Sequence, residues 1–234
     1  MSKKNPYLTV QEMKTHPEWL EKQTSEKGGS RFEGGTDTSI VDKYCSKDEP
    51  ILECGPIFGK FTKFLLDQGF KRLHVLDFSD KLSFVQKNEV TSFQEIDFNT
   101  ERFPFEDNFF GSICSWGIVE HLENPFHFMR EMYRVLKPGG TLLMSMPNPM
   151  HLRSRLNFLF HGVIPRWNHK NNHIALFTNG MMEKTYYRYF ELVEKKYLRP
   201  NWHLYKNNSL PFLPANQFFG NYTIWAFRKR KDIL

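Results

Sequence analysis

The sequence predicts an α/β fold that holds a ligand at the carboxyl ends of its strands, and three observations carry that expectation. The stretch from Phe105 to Asn148 reads as strand, short turn, long helix, tight turn, strand. Short apolar runs alternate with helix-period segments along much of the rest of the chain. Glu53, Asp77 and Asp97 stand at the ends of three successive apparent strands, the edge where α/β sheets bind small molecules.

The elements follow in order. Residues 1–48 are polar and broken by Gly28-Gly29 and Gly34-Gly35. A helix is expected around residues 10–22, interrupted near Pro17, and another over 36–46 capped by Thr36. Residues 50–54 form the first convincing strand, and Phe61, Phe64 and Leu65 mark a helix that ends at Gly69. Strands are expected at 72–76, 92–96, 111–116, 141–146 and 221–227, with a helix over 80–88. In the central segment Asn124 suits a helix N-cap and Pro125 the first helical position, where a missing N–H costs nothing. Met129, Met132, Tyr133 and Leu136 then share one face. Arg134 and Lys137 sit in the expected last turn, and Pro138-Gly139-Gly140 stops the helix.

Composition sets broader bounds. A chain of 234 residues, 16% aromatic, is large enough to bury a real core. No stretch approaches the roughly 20 apolar residues of a spanning helix, and the polar start MSKKNPYLTVQEMK has no signal core. Cys45, Cys54 and Cys114 have neither metal-like spacing nor an even count, so a cytoplasmic setting is expected. No metal cluster is expected either, because the histidines between 151 and 173 lack carboxylate or cysteine partners at ligand spacing.

The chemistry begins at Ile51-Leu52-Glu53-Cys54-Gly55-Pro56-Ile57-Phe58-Gly59. A strand running into a Gly-containing turn and a helix brings backbone N–H groups up to a ligand. Asp77 lies 24 positions after Glu53, where an acid accepts both hydroxyls of a ribose. Each acid alone fits a solvated strand end; three at successive ends are harder to dismiss.

Together ILECGPIFGKF, LHVLDFSD, QEIDFN and FPFEDNFFGSICSWGIVEHLENP with EMYRVLKPGGTLLMSMPN make residues 50–148 resemble the class I S-adenosylmethionine-dependent methyltransferases. The likeness is to the group similar to ubiquinone/menaquinone-biosynthesis enzymes. It implies a Rossmann-like seven-stranded, mostly parallel sheet with helices on both faces, and S-adenosylmethionine as cofactor. By position it implies Glu53 and Gly55 at the methionyl end and Gly59 opening the helix. It implies Asp77 on the ribose, Phe78 beside the adenine, Asp97 and the Phe98 backbone at the adenine amine, and Trp116 and Gly117 near the sulfonium. His121 matches a histidine common in the family, and His121 and His151 are the candidate general bases. One departure is serious: the family loop carries three glycines, and here Ile57 replaces the middle one.

The resulting division is an N-terminal segment, 1–48, capping the site, and a methyltransferase domain, 49–234, with a helical substrate lid over 148–182. Between Met132 and Met182 there is no Asp or Glu, while Arg153, Arg155, His173 and other cations are present. That charge favours an anionic acceptor, with Arg153, Arg155 and His173 as its ligands; a solvated basic patch explains it equally well. The RLNFLFHG and HIALFT runs also resemble, more loosely, methyltransferases of polysaccharide and lipid-linked sugar biosynthesis. The leading expectation is therefore O- or N-methylation of a small, anionic or glycosyl molecule. The net charge of +6 raises nucleic-acid methylation as an alternative. Ser115-Trp116-Gly117 speaks against it, lacking the Asn/Asp-Pro-Pro-aromatic step used on base amines. Ile57 prompts the other alternative, a domain that kept the fold and lost the cofactor.

Overall fold

The computed structural model describes residues 38–168, 172–198 and 214–231. The helix expected over 10–22 and its neighbour's expected cap, Thr36, lie outside them. The strands are β1 (Ile51–Cys54), β2 (Leu73–Asp77), β3 (Ser92–Glu95), β4 (Phe110–Trp116), β5 (Leu136–Pro147), β6 (Phe190–Tyr197) and β7 (Tyr222–Lys229). They form one seven-stranded sheet in the order β3-β2-β1-β4-β5-β7-β6. β1 to β5 pair in parallel, and β7 runs antiparallel between β5 and β6. The strand order reverses between β1 and β4, which opens a crevice above their carboxyl ends.

Alternation along the buried strands divides the core in two. Ile51, Leu73, Val75, Cys114, Leu143 and Ala226 face α1 (Ser39–Tyr44), through Ile40 and Val41, and α2 (Lys60–Asp67), through Phe61 and Leu65. Leu52, Cys54, Ile113, Leu142, Met144 and Phe227 face the other way, onto α3 (Pro125–Val135). There Phe128, Met129, Met132 and Val135 are buried, each contributing roughly 1.5–3 kcal/mol. The Asn124 side chain caps α3 by accepting from His127 N at 3.1 Å, as its position predicts.

α3 also fixes the loop that leads into β4. Glu131 accepts from Phe103 N at 2.8 Å, while the Arg134 guanidinium donates to the carbonyls of Phe103 (2.9 Å) and Phe105 (2.8 Å). The two side chains pair at 2.7 Å with little solvent exposure. The Arg134 guanidinium beside it and the bond from Phe103 N hold the Glu131 carboxyl below its ordinary range, against the opposing effect of burial.

Four expectations need correcting. The segment 80–88 is a loop ending in one 3₁₀ turn, Lys87–Glu89, because Ser83 N and Phe84 N both donate to Phe58 O instead of to a helical ladder. The N-terminal helix is shorter than 36–46, beginning at Ser39 with Thr38 before it. α3 stops at Val135, not at Pro138; Leu136 pairs with Phe110, and Lys137 is ion-paired with Glu49. Pro138 pushes its predecessor towards extended backbone, so β5 starts five residues earlier than expected. β6 was given no position by the sequence: it is an edge strand whose only buried residue is Phe190.

Beyond β5 lie α4 (Leu152–His161), α5 (Asn179–Lys184) and α6 (Tyr186–Tyr189). α5 and α6 deliver Met182 and Tyr186 to the α3 face of the core. α4 differs, since Leu159 and Phe160 are 73% and 72% exposed and its one buried residue is Ser154. Among the described residues no helix is long and apolar enough to cross a membrane.

Candidate active site

The loop after β1 carries positive φ at alternate residues: Gly55 at 75°, Ile57 at 56° and Gly59 at 83°. Ile57 thus keeps the backbone of the glycine it replaces, at the cost that a β-branched residue meets there. In this conformation Ile57 N donates to Asp77 Oδ2 at 3.0 Å. Asp77 Oδ1 accepts from Phe78 N at 2.6 Å. The buried Asp77 carboxylate therefore ties the β1 loop to the end of β2, and its remaining lone pairs still leave room for a ligand hydroxyl. Proline at 56 removes no needed donor, since the loop bonds run from Ile57 N and from Gly59 N to Pro56 O. Gly55 must be glycine on a second count, because a Cβ there would lie 2.1 Å from Ile118 Cδ1.

Beneath the loop the electrostatics are unusual. Burial pushes Glu53 up to about 8, helped by the neighbouring Asp77 charge, and burial pushes Asp77 up to about 6. Thr62 offers its hydroxyl to Glu53, which works against the rise at Glu53, and among the described residues the buried Trp116 Nε1 meets no protein acceptor. Buried polar atoms seldom lack partners, so Trp116 Nε1 has a donor to spare for a ligand, and the buried Glu53 carboxyl suits the ammonium of an amino-acid moiety. The residues present fit the methionyl end of S-adenosylmethionine.

The other expected positions fall around the same edge. Phe78 follows Asp77 and is half-buried. Asp97 lies two residues past β3, its Oδ1 accepting from Asn99 N (2.8 Å) and Asn99 Nδ2 (3.0 Å). The Phe98 ring turns away into the core against Phe128, at 4.9 Å, so only its backbone borders the edge. Trp116 ends β4 with its indole edge-on to Phe61 at 5.4 Å, and Gly117, at φ 64°, donates to Ser145 O.

His151 departs from expectation. It is buried, and its two ring nitrogens meet Ser154 N at 3.2 Å and Ser154 Oγ at 3.1 Å, capping α4. Burial, with Arg166 and Arg153 nearby, lowers it to about 4. A histidine so engaged is a helix cap and neither a surface residue nor a general base. Arg155 spends Nε on Met150 O and stacks over Phe218, while Arg153 is exposed. His121 ends the 3₁₀ turn Val119–His121 just after β4, and its ring lies edge-on to His173 at 4.7 Å. Glu120, His121 and His173 bring ligand atoms within 4.8 Å of one another, which corrects the expectation of no metal-type cluster. Spacing could not reveal it, because the third member is 52 residues from the second.

Comparison with known proteins agrees with this geometry. Residues 52–144 match the family model described as a methyltransferase domain. They form a class I methyltransferase domain. The cofactor of this methyltransferase domain is S-adenosylmethionine. A demethylmenaquinone methyltransferase of Listeria monocytogenes is 34% identical over 98 residues, covering 38% of this chain and 41% of that protein. A ubiquinone/menaquinone biosynthesis C-methyltransferase of Pseudoalteromonas translucida is 30% identical over 112 residues, covering 47% of this chain and 40% of its own length. The chain thus matches about two fifths of these relatives. A Haloferax volcanii methyltransferase solved with the Trm112 methyltransferase activator superposes at a TM-score of 0.64. At 15% identity over 94% of this chain and 97% of that one, it is similar in fold alone.

Proposed function

We propose that the chain transfers a methyl group from S-adenosylmethionine to a small molecule that carries an anionic or glycosyl group. The observation that carries the reading is the 55–59 loop, whose alternate left-handed residues are locked to Asp77 at the switch point of the sheet. When bound, the cofactor supplies an electrophilic methyl group on a sulfonium. In this reading Glu53 receives the ammonium and Asp77 the ribose hydroxyls. Phe78, Asp97 and the Phe98 backbone border the adenine, and Gly55, Gly59, Trp116 and Gly117 leave space for the sulfonium arm. Their work is to hold donor and acceptor in line and away from water.

The acceptor side of the reading rests on the acid-free stretch after β5 and on α4, which leaves the carboxyl edge of the sheet with its apolar side chains uncovered. We assign α4 the part of a lid, with Arg153, Arg155 and His173 meeting the acceptor. O- or N-methylation follows for a sugar or acid. The names of the sequence relatives favour a second reading, C-methylation of a hydroquinone. The three free buried thiols support a cytoplasmic setting for either.

Calorimetric titration with S-adenosylhomocysteine comes first, and micromolar binding is expected. Labelled methyl transfer is then compared between anionic sugars and a demethylmenaquinol-type hydroquinone. Folded protein that ignores S-adenosylhomocysteine would sink both readings and leave a fold without its cofactor.

A further inference from the structure

We infer that Glu120, His121 and His173 form a binding site for one divalent transition-metal ion beside the end of β4. Their ligand atoms already lie within 4.8 Å of one another. Bonds of roughly 2.0–2.2 Å to a tetrahedral ion require ligand separations of roughly 3.3 Å. Small side-chain rotations close that gap, because the backbones are already pinned together. Glu120 O accepts from Ile174 N at 2.8 Å and from Ala175 N at 3.1 Å, clamping the His173 segment against the 3₁₀ turn.

The surroundings are those of a ligand set. His121 Nδ1 lies 3.3 Å from Asn172 O, a contact that fixes Nδ1 as the protonated nitrogen and leaves Nε2 to coordinate. The Trp167 ring stands edge-on to His173 at 5.5 Å and is itself held by a bond from Nε1 to Ala175 O at 2.9 Å. Gly117 leaves space for the Glu120 carboxylate, since a Cβ there would stand 3.3 Å from Oε1. Two imidazoles and one buried carboxylate form a borderline donor set that suits Zn²⁺, Fe²⁺ or Co²⁺ better than Mg²⁺ or Ca²⁺. Three protein ligands leave coordination positions open, as catalytic metal sites do.

The role follows from place. Glu120 is three residues beyond Gly117, at the strand end where the methyl donor and acceptor meet. A metal there binds an oxygen of the acceptor and lowers its pKa. The O–H bond breaks, the electron pair stays on oxygen and the proton leaves to solvent. This role rests on the methyl-transfer reading; metal binding does not.

The test uses the untagged full chain, freed of metal with a chelator and titrated with Co²⁺ alone, without cofactor. One equivalent should bind, with ligand-field absorption in the visible that Zn²⁺ displaces. His173→Asn and Glu120→Gln should each weaken binding by at least about tenfold to hundredfold, whereas His161→Asn, at an exposed histidine of α4, should leave it unchanged. X-ray absorption of the cobalt-loaded wild type should show histidine ligands, a readout that needs no variant. Folded wild type that fails to bind Co²⁺ at millimolar concentration, or a spectrum without imidazole, overturns the site. S-adenosylhomocysteine binding is measured separately, so either conclusion can fail alone.

Discussion

Ile57 gives the sharpest prediction, because its φ of 56° inverts a familiar order of stability. A Cβ in the left-handed region costs roughly 1–2 kcal/mol. Glycine relieves that strain but loses roughly 0.4–1 kcal/mol to the greater freedom of its unfolded chain. Ile57→Gly should therefore be about 0.5–1 kcal/mol more stable than Ile57→Ala. Both truncations discard the same half-buried atoms beyond Cβ, so lost burial nearly cancels in the comparison. Urea titrations of the two variants should share one slope and differ in midpoint. In thermal unfolding the same difference is about 1–4 °C for a chain of this size. Both variants keep the N–H that donates to Asp77, so S-adenosylhomocysteine affinity should not separate them. If alanine equals or exceeds glycine, Ile57 is not left-handed, and the account of how the loop tolerates it is wrong.

Other expectations follow from the same edge of the sheet. Asp77→Ala should weaken S-adenosylhomocysteine binding by about 1–3 kcal/mol in calorimetry; an unchanged affinity would show that Asp77 serves the loop alone. Glu53 and Asp77 are raised by burial to about 8 and about 6 from 4.5 and 3.8, so the folded chain holds more protons than the unfolded one between those limits. The stability of cofactor-free protein contributed by these groups is therefore present at low pH and lost as pH rises through that window, and Glu53→Gln should flatten the slope in urea midpoints taken across it. Arg134→Ala should cost about 3 kcal/mol in the same assay, because it strands the Glu131 carboxylate and frees the carbonyls of Phe103 and Phe105. Destabilisation below about 1 kcal/mol would mean that water replaces the guanidinium at little cost.

The parts legible in the sequence were those written locally. The Asn124 cap, the short apolar central strands and the Gly55–Gly59 loop each depend on a few consecutive residues, and the seven-stranded, mostly parallel sheet came with the family resemblance. What failed depends on distant partners. The segment 80–88 has helical composition but spends two amides on Phe58 O. Leu136 extends because Phe110 lies beside it, and β6 carries almost no apolar alternation because, among the described residues, one of its edges has no neighbouring strand. His151 reads as a free base until the buried Ser154 beneath it is seen. Glu120, His121 and His173 form a group only once Glu120 O has gathered the 174–175 amides.

The exposure of α4 has a consequence for how this protein changes over generations. Its Leu156, Phe158, Leu159 and Phe160 contribute little to the folded core, so substitutions there escape the stability threshold that polices β1, β4 and α3. Selection can rewrite these side chains without disturbing the Asp77 lock 75 or more residues away in sequence. A chain built this way can acquire a new acceptor faster than it can lose its donor.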